Sequence, residues 1–288
     1  FLKFSPKAEI ILNIDNDHLD YFKTFEHIKD AFIKYVKLLP EDGILVLNGD
    51  DQNTLDLANY TKAKSLNYSL KNKNSNFFAE NITFDDDGFP TFDVWKNQKF
   101  YGKISLSVPG IHNVSNALAC ICLCDFYKID IKSIQSALKK FTGAHRRFEF
   151  KGKLNNARIY DDYGHHPTEI IATANSLKNK KYNESWVVFQ PHTYSRTKNL
   201  LDDFAKALLN FDHILILDIY AARENNTYNI TSKALVEKIN QYGKQATYIP
   251  NFDYCINYLK ENIKPNDIVL TLGAGTVTEI GDLLLDLK

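Results

Sequence analysis

The stretch Asp161-Asp162-Tyr163-Gly164-His165-His166-Pro167-Thr168-Glu169 decides how this chain is read. An apolar run, Ala157 to Tyr160, precedes it and reads as a short strand, while Ile170 to Leu177 follows and reads as a helix. Adjacent carboxylates, adjacent imidazoles and a glycine therefore meet at a strand-to-helix turn, where an open α/β sheet holds its ligand. Pro167 falls in the first turn of the helix, where a missing N–H costs least. A single Asp or His here would be a turn former or a helix cap. This density of ionisable groups points instead to a site.

Downstream the order is regular. Strand Ala157–Tyr160 leads to helix Glu169–Leu177, Ser185–Phe189 to Leu200–Asn210, and His213–Ile219 to Ser232–Tyr242. Ala246–Ile249 then leads to Asp253–Ile263, and Asp267–Leu272 to Thr276–Leu287. Alternation of this kind predicts a doubly wound α/β domain. Two more strand ends carry polar clusters, Gln190 to Thr197 and Gly273 to Thr276, and clusters on successive strand ends converge on one rim. Gly273 and Gly275 read as a tight turn with close backbone packing. Arg196 beside His192 suits a carboxylate ligand.

Upstream, strand Ile10–Ile14 runs into Asp15-Asn16-Asp17-His18-Leu19-Asp20, a polar turn that reads either as a divalent-cation corner or as a helix-capping loop. Helix Phe25–Leu38, stopped by Pro40, strand Ile44–Leu47 and helix Thr54–Tyr60 follow, the signature of a parallel sheet. The segments Lys64–Leu70, Phe77–Phe84, Pro90–Trp95 and Phe100–Val108 then read as strands of an antiparallel patch, with Asp85–Gly88 a hairpin turn and Lys71–Asn76 a mobile polar loop. Pro109 to Asn116 opens a helix on which His112 and Asn116 share a face, both able to hydrogen-bond a heterocycle edge. A further helix is expected over Ile131–Lys139. Thr142 to Glu149 reads as a joint, with Gly143 as its flexible point and Arg146 and Arg147 able to clamp a phosphate. The domains expected are 1–143 and 144–288.

Lys plus Arg is 35 and Asp plus Glu is 35, so the balance supports neither a nucleic-acid surface nor an anionic-membrane surface. No apolar run approaches a membrane span. Cys120, Cys122 and Cys124 are two apart on one helix, where neighbours do not face each other, so they read with Cys255 as small buried hydrophobes in a reducing compartment. Methionine is absent and Phe1 comes first, which reads as a fragment or a processed chain. No Gly-x4-Gly-Lys-[Ser/Thr] phosphate loop occurs.

The ordered set Asn13–Asp20, Pro109–Ala117, Gly143–Phe148, Asp161–Glu169, Gln190–Thr197 and Gly273-Ala274-Gly275 resembles the Mur ligase family from one end of the chain to the other. The resemblance implies an α/β protein: a truncated Mur ligase central ATPase domain with an antiparallel patch, then a Rossmann-like doubly wound C-terminal domain that binds the amino acid. It implies a longer enzyme whose phosphate loop would precede Phe1, so this chain alone is expected to be inactive. The implied cofactors are ATP and Mg2+, and the implied substrates are UDP-N-acetylmuramate and L-alanine, joined through an acyl phosphate in a cytoplasmic monomer or weak homodimer. His18 is similar to the imidazole that helps hold the catalytic magnesium. His112 and Asn116 resemble the adenine contacts, with Asn113 beside them, and Asp162 the acid near the ribose. Arg147 resembles the arginine that reaches the γ-phosphate across the joint, so that ATP and amino acid meet when it closes. Tyr163, His165, His192 and Arg196 resemble the groups that position L-alanine and the reacting carboxylate, and Arg147, His165 and His18 would be catalytic. The chain departs from many relatives at Thr193, where arginine is usual. Two alternatives stand beside this reading: a murein tripeptide recycling ligase, and a noncatalytic nucleotide- or amino-acid-binding module.

Overall fold

A computed structural model describes residues 1–16, 19–178 and 180–286. The chain divides into two compact units, Phe1–Asp85 with Phe89–Thr142, and Asp86–Gly88 with Gly143–Lys288.

The first unit is built on one six-stranded sheet. In chain order it has β1 (Ala8–Ile11), α1 (Leu19–Phe22), α2 (Phe25–Val36), β2 (Ile44–Asn48), α3 (Gln52–Leu55), β3 (Lys64–Ser69), β4 (Phe77–Phe84), β5 (Pro90–Lys96), β6 (Lys99–Ser105), α4 (Ile111–Phe126) and α5 (Ile131–Lys140). The strands lie in the order β1-β2-β3-β4-β5-β6. β2 shows why the sheet is covered on both sides. Ile44 and Val46 enter the core shared with α4, while Leu45 and Leu47 enter the core shared with α2, the period of two that a strand imposes. The segment expected as one helix from Thr54 is instead α3 followed by a tighter 3-10 turn, Asp56–Tyr60.

Two sequence expectations are corrected here. Lys64–Leu70 does not belong to the antiparallel patch: β3 is parallel to both neighbours, and only β4, β5 and β6 run antiparallel. β3 and β4 touch only through Tyr68↔Phe77 and Ser69↔Phe78, so β4 starts where β3 ends. That stagger lets a short loop join parallel strands without the usual long crossover. Nor does the loop Lys71–Asn76 hang loose. Asn67 N–H donates to Asn76 Oδ1 at 2.9 Å, Asn76 N–H returns a bond to Asn67 Oδ1 at 2.8 Å, and Ser69 Oγ accepts from Lys71 N and Asn72 N. The cysteines also differ from expectation: Cys122 and Cys255 are buried, but Cys120 is exposed and Cys124 half-buried, all with free thiols.

Glu9 lies on β1 among apolar neighbours, 3% exposed, and neither carboxylate oxygen has a hydrogen-bond partner among the described residues. Burial pushes its carboxyl up to about 7. The folded state thus holds this proton more tightly than the unfolded chain does. Its stability contribution is intact below the ordinary carboxylate value and is lost as pH rises through about 7. Between pH 5 and 8 this group is expected to cost about 2–3 kcal/mol, and Glu9→Gln should flatten that slope. Denaturant midpoints at both pH values measure it, and parallel slopes for the two proteins would refute the assignment.

The second unit adds β7 (Glu149–Leu154), β8 (Ala157–Asp162), α6 (Pro167–Leu177), β9 (Ser185–Phe189), α7 (Tyr194–Asn199), α8 (Leu201–Leu208), β10 (His213–Ile216), α9 (Ser232–Gln241), β11 (Ala246–Tyr248), α10 (Phe252–Asn262), β12 (Ile268–Leu272) and α11 (Thr278–Leu284). Its sheet order is β11-β10-β9-β12-β8-β7, parallel except for β7, an edge strand that the sequence reading did not separate from the joint. Side chains again alternate between faces. Val187, Phe189, Ile268 and Leu270 pack with α6, α8 and α9, whereas Trp186, Val188 and Val269 pack with α10 and α11. The last strand, β12, is inserted between β8 and β9. The helix after β8 covers one face and the helix after β12 the other. A ligand crevice forms at the carboxyl ends of strands where the chain diverges in this way.

Candidate functional site at the strand ends of the second unit

Asp162, Leu272 and Phe189 stand level with one another at the ends of β8, β12 and β9. The three polar clusters therefore emerge side by side. Beneath them lies a buried ionic anchor. Asp161 is fully buried; its Oδ2 accepts from Arg146 Nε at 2.8 Å and its Oδ1 from Thr271 Oγ1 at 2.6 Å. Arg146 also donates through Nη2 to the Gly273 carbonyl at 2.7 Å, so one guanidinium ties β8 to the turn after β12. Its backbone sits at φ 57°, and its carbonyl accepts from Tyr163 N at 2.7 Å.

Asp162 also faces inward. Its carboxylate accepts from Gly164 N at 2.7 Å, Phe148 N at 3.0 Å and Thr173 Oγ1 at 3.1 Å. Burial pushes it up to about 6, against the pull of these donors and of Arg147. The expectation that Asp162 meets a nucleotide ribose finds this carboxylate turned into the fold, anchoring the joint segment and α6. His166 and Glu169 form a reciprocal cap on α6: His166 Nδ1 accepts from Thr168 N at 3.4 Å, and Glu169 Oε2 accepts from His166 N at 3.2 Å. Pro167 takes the first-turn position. Part of the acidic and imidazole cluster is thus the turn and cap chemistry that any such junction needs.

The rest points to the rim. Tyr163 carries the Arg146 and Arg147 guanidiniums over its ring at 5.0 and 5.7 Å and meets the His165 ring edge-on at 5.5 Å. His165 lies 5.4 Å from the His192 ring, and His192 Nδ1 is 3.2 Å from Arg196 Nη1. Arg147, Tyr163, His165, His192 and Arg196 therefore form one continuous row across the ends of β8 and β9. A guanidinium can only donate, so His192 accepts at Nδ1 and keeps its proton on Nε2. Burial, then the charges of His165 and Arg196, hold its imidazole below the ordinary histidine value against a smaller opposing pull from Glu224. In His165, Nδ1 is 3.1 Å from the Tyr163 carbonyl, an acceptor, which places the neutral ring's proton on Nδ1. Arg147 is half-exposed and donates to Glu169 Oε1 at 3.2 Å. Burial raises the Glu169 carboxyl, but the His165 N–H and the charges of His165 and Arg147 outweigh it and leave it below the ordinary range.

The loop after β9 is strained. Thr193 has φ 66°, a region that a β-branched residue rarely enters and that tends to occur at functional sites. It is held there by Thr193 N–H donating to the Tyr220 carbonyl at 2.9 Å and by its own Oγ1 capping α7 through Arg196 N. The glycine turn behaves as read. Gly273 has φ 146°, and a Cβ on Gly275 would lie 2.3 Å from Gln190 Oε1 and 2.8 Å from the Tyr220 ring. Tyr220 and Glu224 carry no signal in the sequence, whereas the Arg146-Arg147 doublet does but cannot say which arginine turns inward.

In the first unit His112, Asn113 and Asn116 are half-buried at the start of α4, after Gly110 at φ 95°. Asn113 Nδ2 donates to the Pro109 carbonyl at 2.7 Å and Asn116 Nδ2 to Asn113 Oδ1 at 3.3 Å, so Asn113 holds the helix entrance. His18 lies outside the described residues. Among the described residues no three His, Cys, Asp or Glu side chains converge as a metal cluster, and Asp51 is occupied by Ile14 N and Asn53 N. Among them, too, no helix is long and apolar enough to cross a membrane.

Comparison with known families matches residues 2–124 to the Mur ligase middle domain and residues 146–275 to the Mur ligase glutamate ligase domain. The chain belongs to the Mur ligase family. Among relatives of this Mur ligase chain, the UDP-N-acetylmuramate–L-alanine ligase of Acetivibrio thermocellus is 47% identical over 99% of this chain and 61% of its own length. That of Clostridium perfringens is 43% identical over 99% and 62%. The chain thus spans about three-fifths of the curated relatives it matches. The solved UDP-N-acetylmuramate-alanine ligase MurC of Thermotoga maritima superposes with a TM-score of 0.80 at 27% identity, covering 99% of this chain and 60% of that one. MurF ligase of Thermotoga maritima in complex with ADP shares the Mur ligase fold at 16% identity and a TM-score of 0.74, covering 98% of this chain and 61% of that one.

Proposed function

We propose that this Mur ligase chain belongs to a cytoplasmic enzyme that joins L-alanine to the lactyl carboxylate of UDP-N-acetylmuramate, driven by ATP. The observation that carries the reading is the row Arg147–Tyr163–His165–His192–Arg196 at adjoining strand ends, in a chain 47% identical to a ligase of that name. The lactyl carboxylate attacks the γ-phosphorus of ATP and ADP leaves, forming an acyl phosphate. The alanine amine, once deprotonated, attacks the acyl carbon, and inorganic phosphate leaves from the tetrahedral intermediate. Both steps gather negative charge, which fixed guanidiniums stabilise without reorganising. Arg147, exposed and carried on the Tyr163 ring, takes the phosphoryl charge. Arg196 pairs with the amino-acid carboxylate, and His192 donates from Nε2. His165, with its proton on Nδ1, presents Nε2 as the basic nitrogen of the pair. His112 and Asn116 hold the nucleotide base, and by family resemblance His18 would help hold a magnesium ion, which would supply charge neutralisation on the triphosphate.

The test uses the full gene product. Phosphate release is expected only when ATP, UDP-N-acetylmuramate and L-alanine are all present, with the alanyl adduct formed in equal amount. Release that instead requires a murein tripeptide would favour the recycling reading, and nucleotide binding without release would favour a binding module.

A further inference from the structure

The segment Tyr220–Glu224 is bonded to the loop after β9 at both of its ends. Tyr220 N–H donates to the Pro191 carbonyl at 2.8 Å, and the Tyr220 carbonyl accepts from Thr193 N at 2.9 Å. The Tyr220 ring stacks on His192 at 5.8 Å. Glu224 then closes the segment like a buckle, taking Ser195 N–H at 2.9 Å on one oxygen and the Ser195 hydroxyl on the other. Between these anchors the chain passes through Ala222 at φ 52° and Arg223. Arg223 is exposed and makes no ion pair among the described residues. Its neighbour Glu224 bonds Ser195 through both carboxylate oxygens. The anchors hold the backbone that bears Arg223 beside the loop that carries His192 and Arg196, since Tyr220 and Glu224 on either side of it are both bonded to that loop. His192 pairs with Tyr220 in an isolated bridge, and the next residue on that loop, Thr193, has no charge of its own.

We infer that Tyr220–Glu224 is the outer wall of the amino-acid subsite and that Arg223 supplies a second cation for the carboxylate of the incoming amino acid, with Glu224 and Ser195 fixing its position. This rests on the ligase reading above. It assigns Arg223 a binding role in which Arg196 is not the sole cation, and it makes Glu224 a positioning residue.

The experiment compares L-alanine with L-alaninamide, which keeps the nucleophilic amine and lacks the carboxylate, in the full-length enzyme. Arg223→Ala is expected to raise the KM for L-alanine about tenfold or more, with kcat and the KM for ATP within about twofold. Arg223→Lys should recover part of the loss, since a single ammonium replaces the fork, and Glu224→Gln should move the same KM in the same direction. With L-alaninamide the Arg223→Ala and parent enzymes should be alike. An unchanged KM for L-alanine, or an equal loss with L-alaninamide, overturns the assignment while leaving the ligase reading intact. A parent enzyme that ligates no alanine overturns both. Melting curves guard against misfolding; an exposed side chain predicts no shift.

Discussion

Arg146→Ala is expected to destabilise the second unit by about 3–5 kcal/mol, because it removes one partner of a buried ion pair. Asp161 is fully buried and, among the described residues, would keep only Thr271 Oγ1 as a side-chain hydrogen-bond partner. The Gly273 carbonyl would lose its guanidinium donor at the same time. Arg146→Lys should restore less than half of the loss. An ammonium on a flexible stem cannot hold Asp161 and Gly273 in the fixed geometry of the fork. Asp161→Asn tests the same pair from the other side, and the two changes together should cost less than their sum. Urea titrations measure all of these. A loss under about 1 kcal/mol for Arg146→Ala would mean that water or another group replaces the guanidinium.

Arg147→Ala is expected to do the reverse. Its pair with Glu169 is half-exposed, and such pairs contribute about 0–1 kcal/mol, so the unfolding midpoint should barely move. In the full-length enzyme kcat should fall by about 10²–10³, the cost of removing one donor aimed at developing charge. The KM for L-alanine should change little, since the amino acid is assigned to Arg196 and Arg223. Single-turnover phosphate release separates chemistry from product departure. If kcat survives within a few-fold, Arg147 is a surface partner of Glu169 and another cation meets the phosphoryl group.

The adjacent arginines show where sequence reading stops. Arg146 and Arg147 carry the same group on neighbouring residues, and nothing local says which is buried. Arg146 at φ 57° turns toward Asp161, and that direction depends on the end of β8 and on Gly273, far away in sequence. Asp162 is a parallel case. Its charge made it a ligand candidate, but the donors that claim it come from Phe148, Gly164 and Thr173. Likewise β3 reads as a β-rich strand like its followers, and only its pairing with β2 and β4 shows that it runs parallel to both.

By itself the sequence determined the strand and helix alternation of both units, because apolar periods of two and of helical spacing are local properties of burial. It also showed at which strand ends polar clusters gather, because residue type is local, though part of that polarity serves turns and helix caps. Tertiary structure decided that β12 enters between β8 and β9, that His165 comes within 5.4 Å of His192, and that Glu224 reaches Ser195. These are contacts between residues distant in the chain. They are set by how the sheet fills its two faces, and no local pattern encodes that.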